Sequence, residues 1–153
     1  MLSFVEKEAQ MRDIHIHVDV SPDAAPIQSD RGKLQQIFLN IVNNAFAAVE
    51  DGGQLDVQVH PLVGLSGIGL RFSDDGCGIP EEDLHRIFEP FFSTKTGKGG
   101  TGLGLSITYN LVHEIGGEIK VKSEVGKGTS FDIHLPMTIP SVKGQNNART
   151  ASR

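Results

Sequence analysis

A single cysteine, Cys77, leaves the chain without any internal disulfide. That excludes the small disulfide-stapled scaffolds typical of secreted proteins. Basic residues are also scarce, with 14 Lys and Arg against 19 Asp and Glu, a formal net charge of −5. A nucleic-acid binder shows a basic surplus or a basic stripe, and neither is present. No apolar run approaches the roughly 20 residues that a membrane span needs, and no signal-peptide pattern opens the chain. These absences argue against DNA, RNA or a bilayer as direct partners and suit the cytoplasm, but they name no function. What is present is 153 residues at 38% apolar content, the size of one ordinary domain with one core. Glycine is abundant, 18 residues in all, and most fall between Gly64 and Gly128. A local excess needs a local reason.

The hydrophobic periods divide the chain into elements. Met1 to Arg12 carries apolar residues at Leu2, Val5, Ala9 and Met11 and reads as a short helix. From Asp13 to Val20 the pattern alternates, with Ile14, Ile16, Val18 and Val20 on one side and His15, His17 and Asp19 on the other. A period of two predicts a strand with one buried face. Ser21 to Pro26 is a loop. Asp30 is a plausible N-cap for the strongest helix, in which Leu34, Ile37, Phe38, Ile41, Val42, Ala45 and Val49 recur at three- and four-residue steps until Asp51-Gly52-Gly53 ends it. Gln54 to Val63 and Gly67 to Ser73 read as two strands, Pro80 to Ile87 as a short helix, and Phe88 to Gly100 as a long loop. Leu103 to Ile115 is helical, and Glu118 to Ser123 and Thr129 to Leu135 form a hairpin around Gly126-Lys127-Gly128. The expected fold class is α+β: a two-layer α/β sandwich, with a mixed sheet of about five strands covered on one face by three helices. The domain is expected to span residues 1–139, and the polar, unpatterned residues 140–153 to form a disordered tail.

Four segments carry chemistry. In Asn40-Ile41-Val42-Asn43-Asn44-Ala45, Asn40 and Asn44 lie one helical turn apart on one face, among apolar neighbours. Buried amides need partners. These two either cap nearby backbone or offer a carbonyl oxygen to a hard cation such as Mg²⁺, which prefers oxygen donors and keeps several waters. Ser73-Asp74-Asp75-Gly76-Cys77-Gly78-Ile79-Pro80 follows a strand. It is an Asp-Gly turn that also presents a carboxylate able to accept from an exocyclic amine. Arg86-Ile87-Phe88-Glu89-Pro90-Phe91-Phe92-Ser93-Thr94-Lys95 packs three phenylalanines into five residues, an anchored loop that suits a lid. Gly97-Lys98-Gly99-Gly100-Thr101-Gly102-Leu103-Gly104-Leu105-Ser106 runs directly into a helix. Glycines at a helix N-terminus let backbone N–H groups approach an anion where the helix dipole favours negative charge. The spacing fits neither a Walker A loop nor a dinucleotide fingerprint.

Taken in this order, the four segments resemble the N, G1, F and G2 boxes of bacterial sensor histidine kinases. The resemblance covers nearly the whole chain, through Gly126-Lys127-Gly128-Thr129-Ser130-Phe131 to Leu135-Pro136. It implies the Bergerat ATP-binding fold of the superfamily that includes gyrase, Hsp90 and MutL, with ATP and Mg²⁺ as ligands. It also implies roles. Asn44 resembles the Mg²⁺ ligand, and Asp74 the acceptor of the adenine amine. Gly76, Gly78 and Ile79 resemble the residues around the adenine pocket. Gly100, Thr101, Gly102, Leu103, Gly104 and Leu105 resemble the phosphate-wrapping segment, and Thr129 the threonine beside Asp74. Two departures stand out. Ala47 replaces a lysine that many members carry three residues after the metal-binding asparagine, and the lid is short. Lys95 and Lys98 are expected to bring the missing positive charge to the phosphates.

One position separates kinase from ATPase. Superfamily ATPases usually place a glutamate one turn before the metal asparagine to activate water, and here that position is Asn40. An amide cannot accept a proton at neutral pH, whereas a histidine imidazole is already a competent nucleophile. Asn40 therefore favours a histidine kinase over an ATPase, and counts against a stand-alone serine kinase. The family's phosphoacceptor is a His followed by an acidic residue on a helix hairpin ahead of the catalytic domain, and none of the six histidines has that setting. The chain thus reads as a catalytic domain cut at its boundary. Its expected partner is the dimerisation and phosphoacceptor domain of the same kinase and, indirectly, a response regulator. Its expected place is the cytoplasm, including the cytoplasmic part of a membrane-bound sensor. His15 and His17 share a strand face and are expected to be solvent-exposed.

Overall fold

The structure, a computed structural model, describes residues 2–92 and 104–138. Its elements run α1 (Leu2–Arg12), β1 (His15–Val20), α2 (Arg31–Ala48), β2 (Gln54–Pro61), β3 (Ile68–Asp74), α3 (Gly104–Glu114), β4 (Glu118–Glu124) and β5 (Gly128–Leu135). The strands form one sheet in the order β1-β2-β3-β5-β4, with β1 parallel to β2 and every other neighbour antiparallel. The expected tail, residues 140–153, lies outside the described residues, as do Lys95, Lys98, Gly100, Thr101, Gly102 and Leu103.

The two faces of the sheet follow from strand alternation. One face carries apolar rows across the strands, Val57–Phe72–Phe131–Val121 and Val59–Leu70–Ile133–Ile119. The other carries the polar row Gln58–Arg71–Asp132–Lys120, in which the Arg71 guanidinium lies 2.7 Å from the Asp132 carboxylate. The apolar face lies against α2 and α3. Helix α2 buries Ile37, Ile41, Val42, Ala45 and Phe46, and α3 buries Thr108 and Val112. Val5 and Ala9 of α1 join the same core. This is the two-layer sandwich the hydrophobic periods predict.

Helix α2 starts as its sequence suggests. Asp30 is the N-cap, and its side chain accepts from the Lys33 N–H at 3.0 Å, satisfying one of the orphan donors of the first turn. The other end is held from a distance. Arg12 donates from Nη1 to the Phe46 carbonyl at 2.6 Å and from Nη2 to the Val49 carbonyl at 2.8 Å, and its Nε bonds Asp51 at 2.8 Å. The Cys77 N–H reaches the Ala48 carbonyl at 3.1 Å.

Three expectations need correction. Ile14 is buried, but along β1 Ile16 is only half-buried and Val18 and Val20 are 59% and 58% exposed. The period of two is right, yet β1 is an edge strand at the end of the sheet away from β3, β5 and β4, over which α2 and α3 lie. Met11 of α1 is also exposed. Finally, the short helix expected over Pro80 to Ile87 is not α-helical and is only three residues long. A 3₁₀ turn, Glu81–Asp83, is followed by turns closed by bonds three residues back, such as Arg86 N–H to Asp83 O and Glu89 N–H to Arg86 O. No side chain caps the Pro80 end, and its carbonyl accepts from the Asp83 N–H at 2.9 Å, the three-residue spacing of a 3₁₀ turn.

Candidate functional site

Asn40 and Asn44 of α2 are half-buried and occupy one helix face, whereas Asn43 is exposed. Asn40 is engaged at both ends of its amide. Its Oδ1 accepts from Gln36 Nε2 at 2.9 Å, and its Nδ2 donates to the Gly104 carbonyl at 3.3 Å. The Thr108 hydroxyl donates to the same carbonyl at 2.8 Å. Gly104 is the first residue of α3, where the glycine-rich segment ends. The N box and the close of the G2 box are therefore joined by a direct side-chain bond across 64 residues of sequence.

The Asp-Gly turn is built from three directions. Asp74, the last residue of β3, is buried, and its Oδ1 accepts from the backbone N–H of Gly76 at 2.9 Å and of Thr129 at 3.3 Å. Gly76 lies against the end of α2, where a Cβ would stand 2.6 Å from the Ala48 carbonyl oxygen. Gly78 has φ +77°, and a Cβ there would meet the Glu124 carbonyl oxygen at 2.2 Å, so both the conformation and the space require glycine. The β4–β5 hairpin closes the turn from the other side. The Gly126 N–H donates to the Cys77 carbonyl at 2.9 Å, and the Ile79 N–H donates to Ser123 Oγ at 2.7 Å. Ile79 is buried and Cys77 exposed.

Asn40 is thus joined to Gly104, Gly76 packs against the end of α2, and Asp74 faces Thr129 at the ends of β3 and β5. Asp74 and Thr129 are direct cross-strand partners. Leu105 is half-buried against the core. Of the three F-box phenylalanines, Phe88 and Phe92 are anchored against the core. The Arg86 guanidinium sits 4.6 Å from the Phe92 ring centroid. Phe91 departs from the anchored reading, being 75% exposed with φ +66°. Sequence reasoning passed over Gln36 and Ser123. Ser123 ends the inward series Ile119, Val121, Ser123, but only the pairing of β4 with β5 sets it beside Thr129.

Residues 29–139 match the family described as histidine kinase-, DNA gyrase B- and HSP90-like ATPase. The chain belongs to that family. Sensor kinase CckA of Brucella abortus (strain 2308) is 38% identical over 141 residues, which cover 84% of this chain and 15% of that kinase. The catalytic domain of histidine kinase ThkA has a TM-score of 0.78 at 29% identity, over 89% of this chain and 87% of that one. Full-length ShkA in complex with AMPPNP has a TM-score of 0.78 at 30% identity, over 90% of this chain and 28% of that one. The chain spans less than a third of the curated kinases it matches, with shares such as 15%, 18% and 29% of their length. These relatives are sensor and sporulation kinases, and the fold is that of the histidine kinase catalytic domain. Among the described residues no helix is long and apolar enough to cross a membrane. Nor is any group of three or more His, Cys, Asp or Glu among them arranged to hold a metal ion.

Proposed function

We propose that this domain binds Mg²⁺-ATP and delivers its γ-phosphoryl group to a histidine on a separate dimerisation and phosphoacceptor domain, within cytoplasmic two-component signalling. A response regulator is then the next acceptor. The observation that carries this reading is the bond from Asn40 to the Gly104 carbonyl, which ties the helix bearing the asparagine pair to the first residue of α3. A helix N-terminus favours anions. A phosphate chain held there lies beside α2, with the Asp74 turn behind it to receive a base.

The residues divide the work. Asp74 accepts the exocyclic amine of adenine, with Gly76, Gly78, Ile79 and Thr129 shaping the pocket around it. Gly104 and Leu105, with Gly100, Thr101, Gly102 and Leu103, wrap the phosphates, and Lys95 and Lys98 add positive charge. Asn44 offers an amide oxygen to Mg²⁺, and the donor chemistry fits. A neutral carbonyl oxygen on a half-buried helix face suits a hard cation that takes its other ligands from phosphate and water. The bound ion neutralises charge on the phosphates. Asn40 is tied to Gln36 and Gly104 and supplies no base. Water therefore gains no general-base assistance from this position, which favours transfer to an imidazole over hydrolysis.

Calorimetric titration with Mg²⁺-ATP tests this. The wild-type domain binds ATP in a metal-dependent manner. Asn44→Ala keeps its fold by circular dichroism and loses productive Mg²⁺-ATP binding. Unchanged affinity and metal dependence in a folded Asn44→Ala protein would remove Asn44 from the site.

A further inference from the structure

Asp74, Thr129 and Ser123 are directly opposite one another on neighbouring strands β3, β5 and β4. They form one cross-strand row on the helix side of the sheet. The next row on that face is Phe72–Phe131–Val121, so a line of polar side chains ends an otherwise apolar face where the base pocket begins. Asp74 and Thr129 are buried and Ser123 is half-buried.

The protons of this row can be placed by counting. Ser123 has three partners: the Ile79 N–H at 2.7 Å, the Gly128 carbonyl at 2.9 Å and the Thr129 hydroxyl at 2.8 Å. A serine hydroxyl has one proton and two lone pairs. The Ile79 N–H can only donate and the Gly128 carbonyl can only accept. Ser123 therefore gives its proton to Gly128 and accepts from Ile79. Its second lone pair then takes the proton of Thr129. The opposite assignment would set Ser123 oxygen against the Gly128 carbonyl oxygen at 2.9 Å with no hydrogen between them, leaving a half-buried carbonyl without this donor.

We propose that Ser123 is a positioning residue for base recognition. It locks the Thr129 hydroxyl as a donor to itself, so that Thr129 presents only lone pairs on its Asp74 side. The pocket wall is then two adjacent acceptors, the Asp74 carboxylate and the Thr129 oxygen. At the position of the exocyclic 6-substituent such a wall accepts from an N6 amine, directly or through a water donating to both, and repels an O6. The inference rests on the adenine-binding reading above and adds a second determinant of base choice to it. Ser123 also tethers the Ile79 N–H, so the turn and the hydroxyl row share one anchor.

The test is the ratio of ATP to GTP affinity, measured by calorimetry on the folded domain alongside thermal melting. With Ser123→Ala, Thr129 is free to turn its proton toward the base, which gives guanine O6 a donor. ATP affinity falls while GTP affinity holds or rises, and the ratio drops about ten-fold, the scale of one hydrogen bond. Ser123→Thr restores the wild-type ratio. It keeps the hydroxyl, and its added methyl has room, because Ser123 lines an open cavity of about 460 Å³ with Ile79, Leu84 and Val121. If Ser123→Ala does not fold, Ser123→Cys, a near-isostere with a weak donor, is read in its place and is expected to narrow the ratio. Equal losses for ATP and GTP, with the ratio unchanged, would make Ser123 a structural tether only and overturn the proposal. A wild-type domain that does not prefer ATP would overturn the adenine reading itself, before any variant is compared.

Discussion

At the scale of the residue, the proposed base pocket turns on Asp74. Two backbone N–H groups converge on its Oδ1, which fixes the carboxylate at the end of β3. Adenine offers an N6 amine, a donor that a carboxylate accepts. Guanine offers O6 at the same place, and two acceptors facing each other in a partly dry pocket repel. A site built around one such hydrogen bond rejects a mismatched analogue by up to roughly 10⁴-fold, less if a water slips between. Asp74→Asn is therefore expected to weaken ATP and to narrow the gap to GTP, since an amide can turn its donor toward O6. Competition of the two nucleotides for wild type and variant checks this; an unaltered preference in Asp74→Asn would return the turn to a purely structural role. Asp74 and Thr129 stood out in sequence because each sits in a motif with a family meaning; that they are cross-strand partners needed the register. Ser123 did not, because a serine near a strand end has no signature until the pairing of β4 with β5 sets it beside Thr129. Asn40 was legible as a position but not as a tie. Its partner is a backbone carbonyl 64 residues away, and no side-chain pattern reports it.

The elements show the same division. Helix α2 was legible from its 3.6-residue period and its Asp30 cap, because both are local. Its stop before Asp51-Gly52-Gly53 was legible too, but what holds its last carbonyls was not, since it has no basic residue in its last turn. Arg12 of α1 supplies that charge and bonds the Phe46 and Val49 carbonyls, while Cys77 bonds the Ala48 carbonyl. The end of the helix that carries the asparagine pair is thus closed by two remote segments. The edge strand β1 was legible as a strand but not as an uncovered one, because alternation reports which side a residue faces and not what lies over it. Arg12 makes a specific expectation possible. Each lost hydrogen bond to a carbonyl is worth about 1 kcal/mol, and the charge near a helix C-terminus adds about 0.3–1 kcal/mol. Arg12→Ala is expected to lower unfolding stability by roughly 2–3 kcal/mol on that basis. Arg12→Lys recovers little of this, because an ammonium cannot reproduce the planar fork that spans two carbonyls and the Asp51 carboxylate. Urea denaturation of the three proteins measures it; full recovery by lysine would show that charge alone, not the fork, secures α2.

Across the whole molecule, the placement of five of the six histidines bears on what this domain can phosphorylate; the sixth, His85, is exposed and followed by Arg86 rather than by an acidic residue. His15, His17, His60 and His134 lie on the open face of the sheet, opposite the helices and opposite Asp74 and Thr129. His113 is followed by Glu114, the local pattern of a phosphoacceptor, but it stands at the far end of α3 from Gly104. Nine residues at 1.5 Å each put it about 13 Å along the helix from the N-terminus expected to hold phosphate. Transfer needs the nucleophile at roughly 3–3.5 Å from phosphorus. Its ring is also committed, with Nδ1 2.9 Å from the Tyr109 carbonyl and the two rings 4.2 Å apart. The boxes and their order were legible at this scale because each is a contiguous run, whereas the side of the sheet on which each histidine falls needed the strand register. The expected outcome is that this chain, incubated alone with γ-labelled Mg²⁺-ATP, binds the nucleotide but gains no acid-labile phosphate. Adding the phosphoacceptor domain of the parent kinase moves label onto that domain, in a form stable to alkali and lost in acid, as phosphohistidine is. His113→Gln makes the negative result informative. Acid-labile label on the isolated wild-type chain that disappears in His113→Gln would mean that α3 carries its own acceptor, and the reading of transfer to a separate domain would fail while ATP binding stood.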